Sequence, residues 1–248
     1  RASTLATTQS EMVAGLLRSE GLDVNLTTIT THGDTSTASL AAMGGIGVFA
    51  SAIRAALLEG EADIAVHSFK DLPTGRPLGL AIGAVPARAD PRDALVARDG
   101  LTLHDLPQEA SVGTGSPRRA AQLLAVRPDL TIVDIRGNVD TRLGRVKGLG
   151  RYAKNGGKED LDAVVLAASG LARLGHSGAV TEFLDPSVVL PAPAQGALAV
   201  ECRTADSRHG KLAKALARID DRRTRLAATA ERAVLSHLEA GCAAPIGA

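Results

Sequence analysis

The feature that most constrains the fold is an alternation of short apolar runs with amphipathic segments of helical spacing. The apolar runs are rich in Val and Ile and have the length of buried strands, as at 64–66, 80–85 and 163–168. Segments at 211–219 and 222–239 repeat apolar residues at the spacing of a helix. The alternation predicts an α/β fold, in which helices cover the faces of a sheet.

Two proline-containing stretches interrupt this alternation and predict crossings between two domains. Val85–Asp93 holds two prolines and four charged residues, and residues 188–193 hold two further prolines. We therefore expect domain 1 to comprise residues 1–86 and 194–216, and domain 2 to comprise residues 87–193. Two α/β domains joined by paired crossing strands around a cleft are the layout of periplasmic-binding-protein-like folds of type II.

Composition narrows the class of ligand. The 248-residue chain is long enough for two domains with ordinary cores. Its net charge is +1 and it has only four aromatic residues. Nucleic-acid binding is therefore disfavoured, because the chain has little excess positive charge to neutralise phosphates and few rings on which bases could stack. Twenty-two of the 28 basic residues are Arg, which is well suited to binding carboxylates. A GC-rich genome would also raise the Arg content, so composition alone leaves the ligand open.

The two cysteines and the hydropathy pattern bear on metals and compartment. Cys202 and Cys242 lack the spacing of metal ligands, so we expect no metal site. No apolar run has the length of a membrane span and no signal peptide is visible, which together with the low Cys content favours a cytoplasmic protein. The sequence begins at Arg1 rather than Met, which leaves a removed N-terminal segment open.

A polar cluster directly after the apolar run at 64–66 predicts a site at the end of a strand. Asp71 lies beside Lys70, and Pro73 forces the chain to turn. In open α/β sheets, ligands bind in the crevice outside the carboxyl ends of the strands. A carboxylate among cations could stabilise a transient cation in a substrate, which arginines cannot do. The alternative is a strand end whose polar groups satisfy the loop backbone.

Arginines fall at the ends of other predicted strands or at the start of the following helix. Ser116 is the expected N-cap of one such helix, with Pro117 at its first position. Arginines beside the N–H groups of a helix N-terminus would hold a polyanion, to which Arg1 and Ser3 could add from domain 1. The arginines in this pattern are Arg118, Arg119, Arg136, Arg142 and Arg173. In the alternative, Arg118 and Arg119 cover a helix surface, while Arg142 and Arg145 pair with Asp140.

Three further segments receive local interpretations. The Thr-rich stretch Val24–Ile29 predicts a strand. The glycine-rich run Met43–Phe49 precedes a helix and is either a weak anion site or a flexible lid. Cys242 follows the glycine that ends the last predicted helix, so its thiol is expected on a loop, where the residues alone favour a structural or idle role.

Several ordered blocks of the sequence resemble the hydroxymethylbilane synthase (porphobilinogen deaminase) family. The most specific block is Ala65–Pro73, and the resemblance covers nearly the whole chain. The other blocks lie at 90–93, 112–114 with 116–119, 136–139 with 141–142, 194–197, 201–203, 230–232 and 239–242. The resemblance implies the two-domain fold described above and a small α+β third domain, whose start would lie in residues 217–248.

The resemblance implies a transferase with a covalent dipyrromethane cofactor, attached to Cys242 by a thioether, whereas Cys202 would be a packed residue. Such an enzyme joins four porphobilinogen molecules head to tail with loss of ammonia, and then releases hydroxymethylbilane by hydrolysis for tetrapyrrole and haem biosynthesis. Asp71 matches the family's catalytic aspartate, which would assist loss of ammonia and stabilise the azafulvenium cation. The acetate and propionate groups of the pyrroles would explain an arginine-lined cleft.

The resemblance also assigns binding residues and a partner. The residues implied for the cofactor, besides Cys242, are Ser68, Lys70, Asp90, Thr114, Ser116, Arg118, Arg119, Arg136, Gly137 and Gln195. The residues implied for the substrate are Arg1, Ser3, Arg88, Arg142 and Arg173. The expected partner is the small molecule porphobilinogen, and we expect a monomer without a nucleic-acid or membrane partner.

The sequence also departs from the family pattern. Many members have lysines in the glycine-rich loop, where this chain has Ala42 and Ile46, which puts loop contacts to a growing product in question. The family's first strand is missing before Arg1 and the third domain has barely begun at Ala248, so the sequence is a fragment or omits unobserved parts. The competing hypothesis is a non-catalytic, periplasmic-binding-like module for a small anion, which would need neither Asp71 nor a modified thiol.

Overall fold

The computed structural model describes residues 3–29, 48–75, 77–238 and 244–248. The chain divides into two compact units, of which the first comprises Arg1–Ala89 with Gly196–Ala243 and the second Asp90–Gln195 with Ala244–Ala248. The chain therefore passes from one unit to the other near both proline-containing stretches. The domain boundaries expected at 86/87 and 193/194 stay a prediction.

The first unit is built on a three-stranded antiparallel sheet. Its strands are β1 (Ile64–Ser68), β2 (Leu80–Ala84) and β8 (Leu198–Arg203), in the order β1-β8-β2. Its helices are α1 (Thr4–Ser19), α2 (Val48–Glu59), α6 (Gly210–Ile219) and α7 (Arg222–His237). Helices α1 and α2 pack on β1, and α6 packs on β2. The core between them is formed by aliphatic side chains that include Val13, Leu17, Val200 and Leu216.

Helix α1 is amphipathic, and the strand predicted after it at Val24–Ile29 is wrong. Ser3 caps α1 by accepting a hydrogen bond from the Ala6 N–H at 3.4 Å, and Val13 and Leu17 are buried. Residues 22–29 adopt no regular secondary structure. The Val24 carbonyl accepts a hydrogen bond from Arg18 Nη2 at 2.8 Å, so a side chain rather than a neighbouring strand satisfies it.

The second unit is built on a five-stranded mixed sheet in the order β5-β4-β6-β3-β7. Strands β4 (Ser111–Gly113), β5 (Thr131–Val133) and β6 (Ala163–Ala167) are parallel to one another. Strands β3 (Asp93–Ala97) and β7 (Glu182–Phe183) complete the sheet, and β3 is antiparallel to both of its neighbours. Apolar clusters cover both faces, since Leu95 packs in one cluster and Val96 in the other. Because the sheet is covered on both faces, its strand β6 has a continuous apolar run instead of an alternating one.

The helices of the second unit follow the parallel strands. They are α3 (Pro117–Val126), α4 (Val139–Leu143) and α5 (Ala168–Arg173). The predicted N-cap of α3 is confirmed, with Ser116 at the cap and Pro117 at the first helical position. Helix α4 carries Arg142 and ends before Arg145.

Strand β3 was not predicted, because the chain around its start was interpreted as a crossing. Its first residue, Asp93, is a fully buried carboxylate, and the remaining residues of the strand are also buried. A charged residue in a sequence normally indicates an exposed position, but Asp93 is buried because residues distant in sequence pair with it.

Helix α7 belongs to the first unit. It begins after the N-cap Asp221, whose side chain accepts a hydrogen bond from the Thr224 N–H at 2.7 Å. Its buried side chains are Thr224, Ala228, Arg232 and Leu235, which form one face of the helix. The assignment of residues 217–248 to the start of a third domain stays a prediction. Among the described helices, none is long and apolar enough to cross a membrane.

Candidate active site

One candidate site, in the first unit, is the turn after β1. Strand β1 ends at Ser68 and passes directly into a 3₁₀ turn over Phe69–Asp71. The Phe69 N–H donates to the Ala197 carbonyl at 3.0 Å, which extends the pairing of β1 with β8 by one bond. Asp71 is exposed, Lys70 is half-buried, and Ser68 Oγ donates to Gln9 Oε1 at 3.1 Å. The predicted polar cluster therefore lies at the carboxyl end of a strand, with its carboxylate open to solvent.

A buried carboxylate on β8, the strand paired with β1, was not predicted from the sequence. Glu201 is 1% exposed, and both of its carboxylate oxygens lie 3.1 Å from Arg54 Nε. His67 Nε2 lies 3.2 Å from Glu201 Oε2, although the two atoms lack the alignment of a hydrogen bond. Burial acts to raise the pKa of Glu201, but His67 and Arg54 outweigh it and lower that pKa. The strand that leads to Asp71 therefore lies beside a buried, ionised carboxylate on β8.

The other predicted residues of the first unit contact helices. Arg88 donates to both carboxylate oxygens of Glu231, at 2.5 and 2.8 Å, and its N–H donates to Thr224 Oγ1 at 3.0 Å. Ser3 is exposed and serves as the N-cap of α1. Cys202 is buried in β8, which agrees with its expected packing role, and burial raises the pKa of its thiol. Several positions singled out in the sequence lie outside the described residues: Arg1, Cys242, positions 42 and 46, and the greater part of the glycine-rich run at 43–49.

Another candidate site, in the second unit, is one edge of the five-stranded sheet. The parallel strands β4, β5 and β6 all end at this edge, and the segments that follow them carry the predicted arginines. Asp93 lies at the same edge, because it begins the antiparallel strand β3 and pairs with Ala167 at the end of β6. The expectation that strand ends gather these side chains is confirmed for Arg118 and Arg119, which both bind Asp93.

Asp93 organises the centre of this edge. Arg118 Nη2 donates to Asp93 Oδ2 at 2.8 Å, and Arg119 Nη2 donates to Oδ1 at 2.6 Å. Gln195 Nε2 also donates to Oδ1, at 2.8 Å. Burial acts to raise the pKa of Asp93, but the guanidinium groups of Arg119 and Arg118 outweigh it and lower that pKa to about 2. The signal for Asp93 was present in the block at 90–93, but no role followed from it.

The two guanidinium groups are held further by backbone carbonyls. Arg118 Nη1 donates to the Leu190 carbonyl, and Arg119 Nη1 donates to the Val165 carbonyl at 3.2 Å. Arg119 Nε is buried and has no hydrogen-bond partner among the described residues. Arg118, Arg119 and Asp93 together carry one positive charge in excess. A buried N–H donor beside an excess cation fits an anionic ligand group.

Backbone geometry places Gln195 and the loop before α3. Ala194 adopts φ +62°, in the left-handed region that residues other than glycine rarely adopt. The backbone is therefore constrained immediately before Gln195. Gly115 has no room for a side chain, because a Cβ there would lie 2.7 Å from the Ile135 carbonyl oxygen. Thr114 Oγ1 accepts a hydrogen bond from the Ser116 N–H at 3.2 Å, and Ser116 Oγ accepts one from the Arg119 N–H at 3.5 Å.

The remaining predicted residues of this unit lie around the same edge. Arg142 Nε donates to the Gly137 carbonyl at 2.8 Å, and Gly137 has φ +102°, which favours glycine. Arg136 is exposed, with Nε 3.8 Å from Asp134 Oδ2. Arg173 ends α5, and burial lowers its pKa. Asp90 accepts hydrogen bonds from Arg92, which lower its pKa.

The pairing of Asp140 corrects one alternative drawn from the sequence. Asp140 Oδ1 lies 2.7 Å from His176 Nε2. Arg145 instead binds Asp160, with Nη2 2.7 Å from Oδ2. The interpretation that Arg145 pairs with Asp140 is therefore wrong. Arg118 and Arg119 are likewise not surface residues, since they are 4% and 6% exposed.

Comparison with known proteins assigns the family. Residues 1–211 match the family model described as porphobilinogen deaminase, dipyromethane cofactor binding domain, and residues 225–248 match the porphobilinogen deaminase C-terminal domain. The chain belongs to the porphobilinogen deaminase family. The porphobilinogen deaminase of Leifsonia xyli subsp. xyli is 59% identical over 250 residues, covering 100% of this chain and 73% of that protein. That of Micrococcus luteus is 57% identical over 267 residues, covering 100% of this chain and 71% of that protein.

A solved structure supports the fold independently. A periplasmic substrate-binding protein of an ABC transporter from Coxiella burnetii has a TM-score of 0.50 and 14% identity, covering 90% of this chain and 93% of that chain. At this identity the likeness concerns the fold alone. The predicted periplasmic-binding-protein-like α/β fold is confirmed, and the porphobilinogen deaminase family has the cofactor-binding domain that the sequence blocks implied.

Proposed function

We propose that the chain is a transferase that condenses porphobilinogen molecules head to tail, with loss of ammonia, and releases hydroxymethylbilane by hydrolysis. The observation that carries the proposal is the match to porphobilinogen deaminases over the whole chain, at 57–59% identity to the two relatives described above. The bound dipyrromethane, joined to Cys242, would supply the pyrrole carbon on which the product grows. We also infer that the chain works as a cytoplasmic monomer without a nucleic-acid or membrane partner.

Asp71 is the proposed catalytic residue. Loss of ammonia breaks the C–N bond of the aminomethyl group, and the electron pair leaves with nitrogen, so positive charge develops on the substrate carbon and pyrrole. An ionised carboxylate stabilises that charge and accepts hydrogen bonds from pyrrole N–H groups. The exposed position of Asp71 after β1 leaves its side chain accessible for this task. Lys70 and Ser68 flank it and are proposed to bind carboxylate groups of the cofactor.

The cluster around Asp93 is proposed to hold the carboxylates of the dipyrromethane. Arg118 and Arg119 would supply positive charge, and the buried N–H at Arg119 Nε would donate a hydrogen bond. Asp93 would orient both guanidinium groups rather than bind the ligand, because its oxygens already accept three hydrogen bonds. The further residues proposed for the cofactor are Asp90, Thr114, Ser116, Arg136, Gly137 and Gln195.

The proposed substrate-binding residues are Arg1, Ser3, Arg88, Arg142 and Arg173. The bond from Arg142 Nε to the Gly137 carbonyl uses one N–H of its guanidinium group. Arg88 is bidentate to Glu231, so a substrate carboxylate would have to share or replace that ion pair.

The test is the turnover of porphobilinogen by Asp71→Ala, with Asp63→Ala as the matched control. Asp63 is also an exposed aspartate beside β1, but it lies at the opposite end of the strand and pairs with Arg203. We expect near-total loss of hydroxymethylbilane formation in Asp71→Ala, with folding and ligand binding kept, and near-normal turnover in Asp63→Ala. Turnover retained by Asp71→Ala would contradict the assignment.

A further inference from the structure

We propose that Arg232 of α7 is a positioning residue that fixes the backbone of the turn carrying Asp71. The catalytic consequence of this inference depends on the function proposed above, whereas the structural part does not. Arg232 was not among the residues that the sequence assigned to the site. It is 9% exposed, and arginines are seldom buried to this extent unless their guanidinium groups are paired.

The guanidinium group of Arg232 binds the turn at three carbonyl oxygens. Nη1 donates to the carbonyls of Phe69 and Leu72, each at 2.8 Å, and Nη2 donates to the carbonyl of Pro73 at 2.9 Å. The guanidinium carbon also lies 4.5 Å from the centre of the Phe69 ring, which is a cation–π contact. One side chain therefore contacts the backbone on both sides of Asp71.

These contacts matter because the turn has left the sheet. After the bond from the Phe69 N–H to Ala197, the carbonyls of the turn point away from the strand ladder and need other donors. The turn itself is closed by a bond from the Leu72 N–H to the Phe69 carbonyl at 3.3 Å, which is long for such a bond. The planar fork of an arginine reaches several carbonyls at fixed angles, which a lysine ammonium cannot reproduce.

The consequence for Asp71 is a fixed direction of its Cα–Cβ bond. Asp71 lies between two anchored carbonyls, those of Phe69 and Leu72, so its backbone cannot rotate without breaking a bond to Arg232. The side chain itself is exposed and takes no part in these contacts. Arg232 therefore places the carboxylate without neutralising it through a described hydrogen bond. Misplacement of a catalytic group by about 1 Å can lower the rate by about 100-fold.

The first test compares Arg232→Met with Arg225→Met. Arg225 lies on the same helix and also donates to backbone carbonyls of the first unit, those of Ile82 and Gly83, but at β2. We expect Arg232→Met to lower kcat by about 100-fold, with KM within about twofold, per molecule of folded holoenzyme. Arg225→Met should leave kcat unchanged on the same basis. Arg232→Lys should recover about 10-fold of the loss in kcat, because it keeps the positive charge but not the planar fork of the guanidinium group. The same variant replaces Arg232→Met in this test if Arg232→Met does not fold.

The second test asks whether Arg232 acts through Asp71. In an Asp71→Glu background the carboxylate is already displaced by one methylene, so Arg232→Met should lower kcat by less than about threefold further. A full 100-fold loss in that background, additive with Asp71→Glu, would overturn the inference and make the effect of Arg232 independent of Asp71.

The third test needs no activity. Amide hydrogen exchange of the segment 69–73 should become at least about 10-fold faster in Arg232→Met but not in Arg225→Met, because the carbonyl anchors are lost. Unchanged exchange, or faster exchange with an unchanged kcat, would overturn the inference. If the unsubstituted chain fails to consume porphobilinogen, the proposed function and the catalytic part of this inference both fail, and exchange alone shows whether the anchor exists.

Discussion

Two aspartates, one in each unit, are held by arginines in opposite ways. Asp93 is fully buried, and two guanidinium groups bind its carboxylate directly. Asp71 is exposed, and Arg232 binds the backbone on either side of it. In the second unit, the Asp93 carboxylate orients the two guanidinium groups. In the first unit, the Arg232 guanidinium group holds the backbone, and the Asp71 carboxylate remains exposed. The same pair of residue types thus supports the proposed ligand-binding cluster in one unit and the proposed catalytic carboxylate in the other.

The largest expected difference between the two aspartates is in stability. Asp93→Ala leaves two buried guanidinium groups without their carboxylate, which costs about 3–5 kcal/mol when a buried ion pair loses one partner. Asp71→Ala removes an exposed side chain and should change the free energy of unfolding by less than about 0.5 kcal/mol. Urea unfolding of both variants measures the difference. Equal stability of the two variants would mean that Asp93 does not organise its unit.

Retention of the dipyrromethane adduct tests the role of the arginines that bind Asp93. We expect Arg119→Met to lose the dipyrromethane adduct, because its Nε is the buried donor proposed for a cofactor carboxylate. Arg127→Met is the control, since Arg127 in the same unit donates to the carbonyls of Leu103 and Leu106. Intact mass of the purified variants reports the adduct directly. An adduct kept by Arg119→Met would remove Arg119 from the cofactor site.

Acid should affect the buried aspartate. The pKa of Asp93 is lowered in the folded protein from 3.8 to about 2, so its stabilising contribution is complete above the unfolded pKa and is lost as the pH falls through the folded value. The expected loss is about 2 kcal/mol between roughly pH 5 and pH 2, measured by chemical unfolding. Asp93→Asn should flatten this dependence. Asp129→Asn should flatten it less, because solvent screens the partly exposed pair of Asp129 with Arg127.

The smallest expected effects are those of the two serine N-caps. Ser3→Ala and Ser116→Ala each remove a capping hydrogen bond, which costs about 1 kcal/mol. Only Ser116 caps the helix that carries Arg118 and Arg119, so Ser116→Ala should also weaken cofactor retention. Thermal unfolding and intact mass of both variants check this. Equal retention in the two variants would restrict Ser116 to capping.

Local sequence signals predicted much of this molecule. The Ser116–Pro117 pair specified the start of a helix because capping depends on neighbouring residues alone. The position of Asp71 followed from an apolar run that ends in polar residues. Parallel strands then brought the arginine-bearing segments to one sheet edge, as the alternation of strands and helices predicted.

Long-range pairing could not be predicted in the same way. Asp93 was interpreted as part of a crossing because its partners, Arg118 and Arg119, lie 25 and 26 residues away. Arg88 was assigned to the substrate, although Glu231 binds it across 143 residues of sequence. The hydrogen bonds described above for Arg232 go to backbone carbonyls, which every residue has, so residue identity does not reveal them. Charge in the sequence therefore identified candidate residues but not their partners.

Catalysis by Asp71 is tested most directly by the intact mass of the chain after brief mixing with porphobilinogen. The unsubstituted holoenzyme should gain successive pyrrole units above the mass of its dipyrromethane adduct. Asp71→Ala should keep that adduct and gain none, because the carboxylate that supports loss of ammonia is missing. Additions to Asp71→Ala at the rate of the unsubstituted chain would contradict a catalytic role for Asp71. A chain that stays unmodified at Cys242 throughout would instead favour a binding module for a small anion.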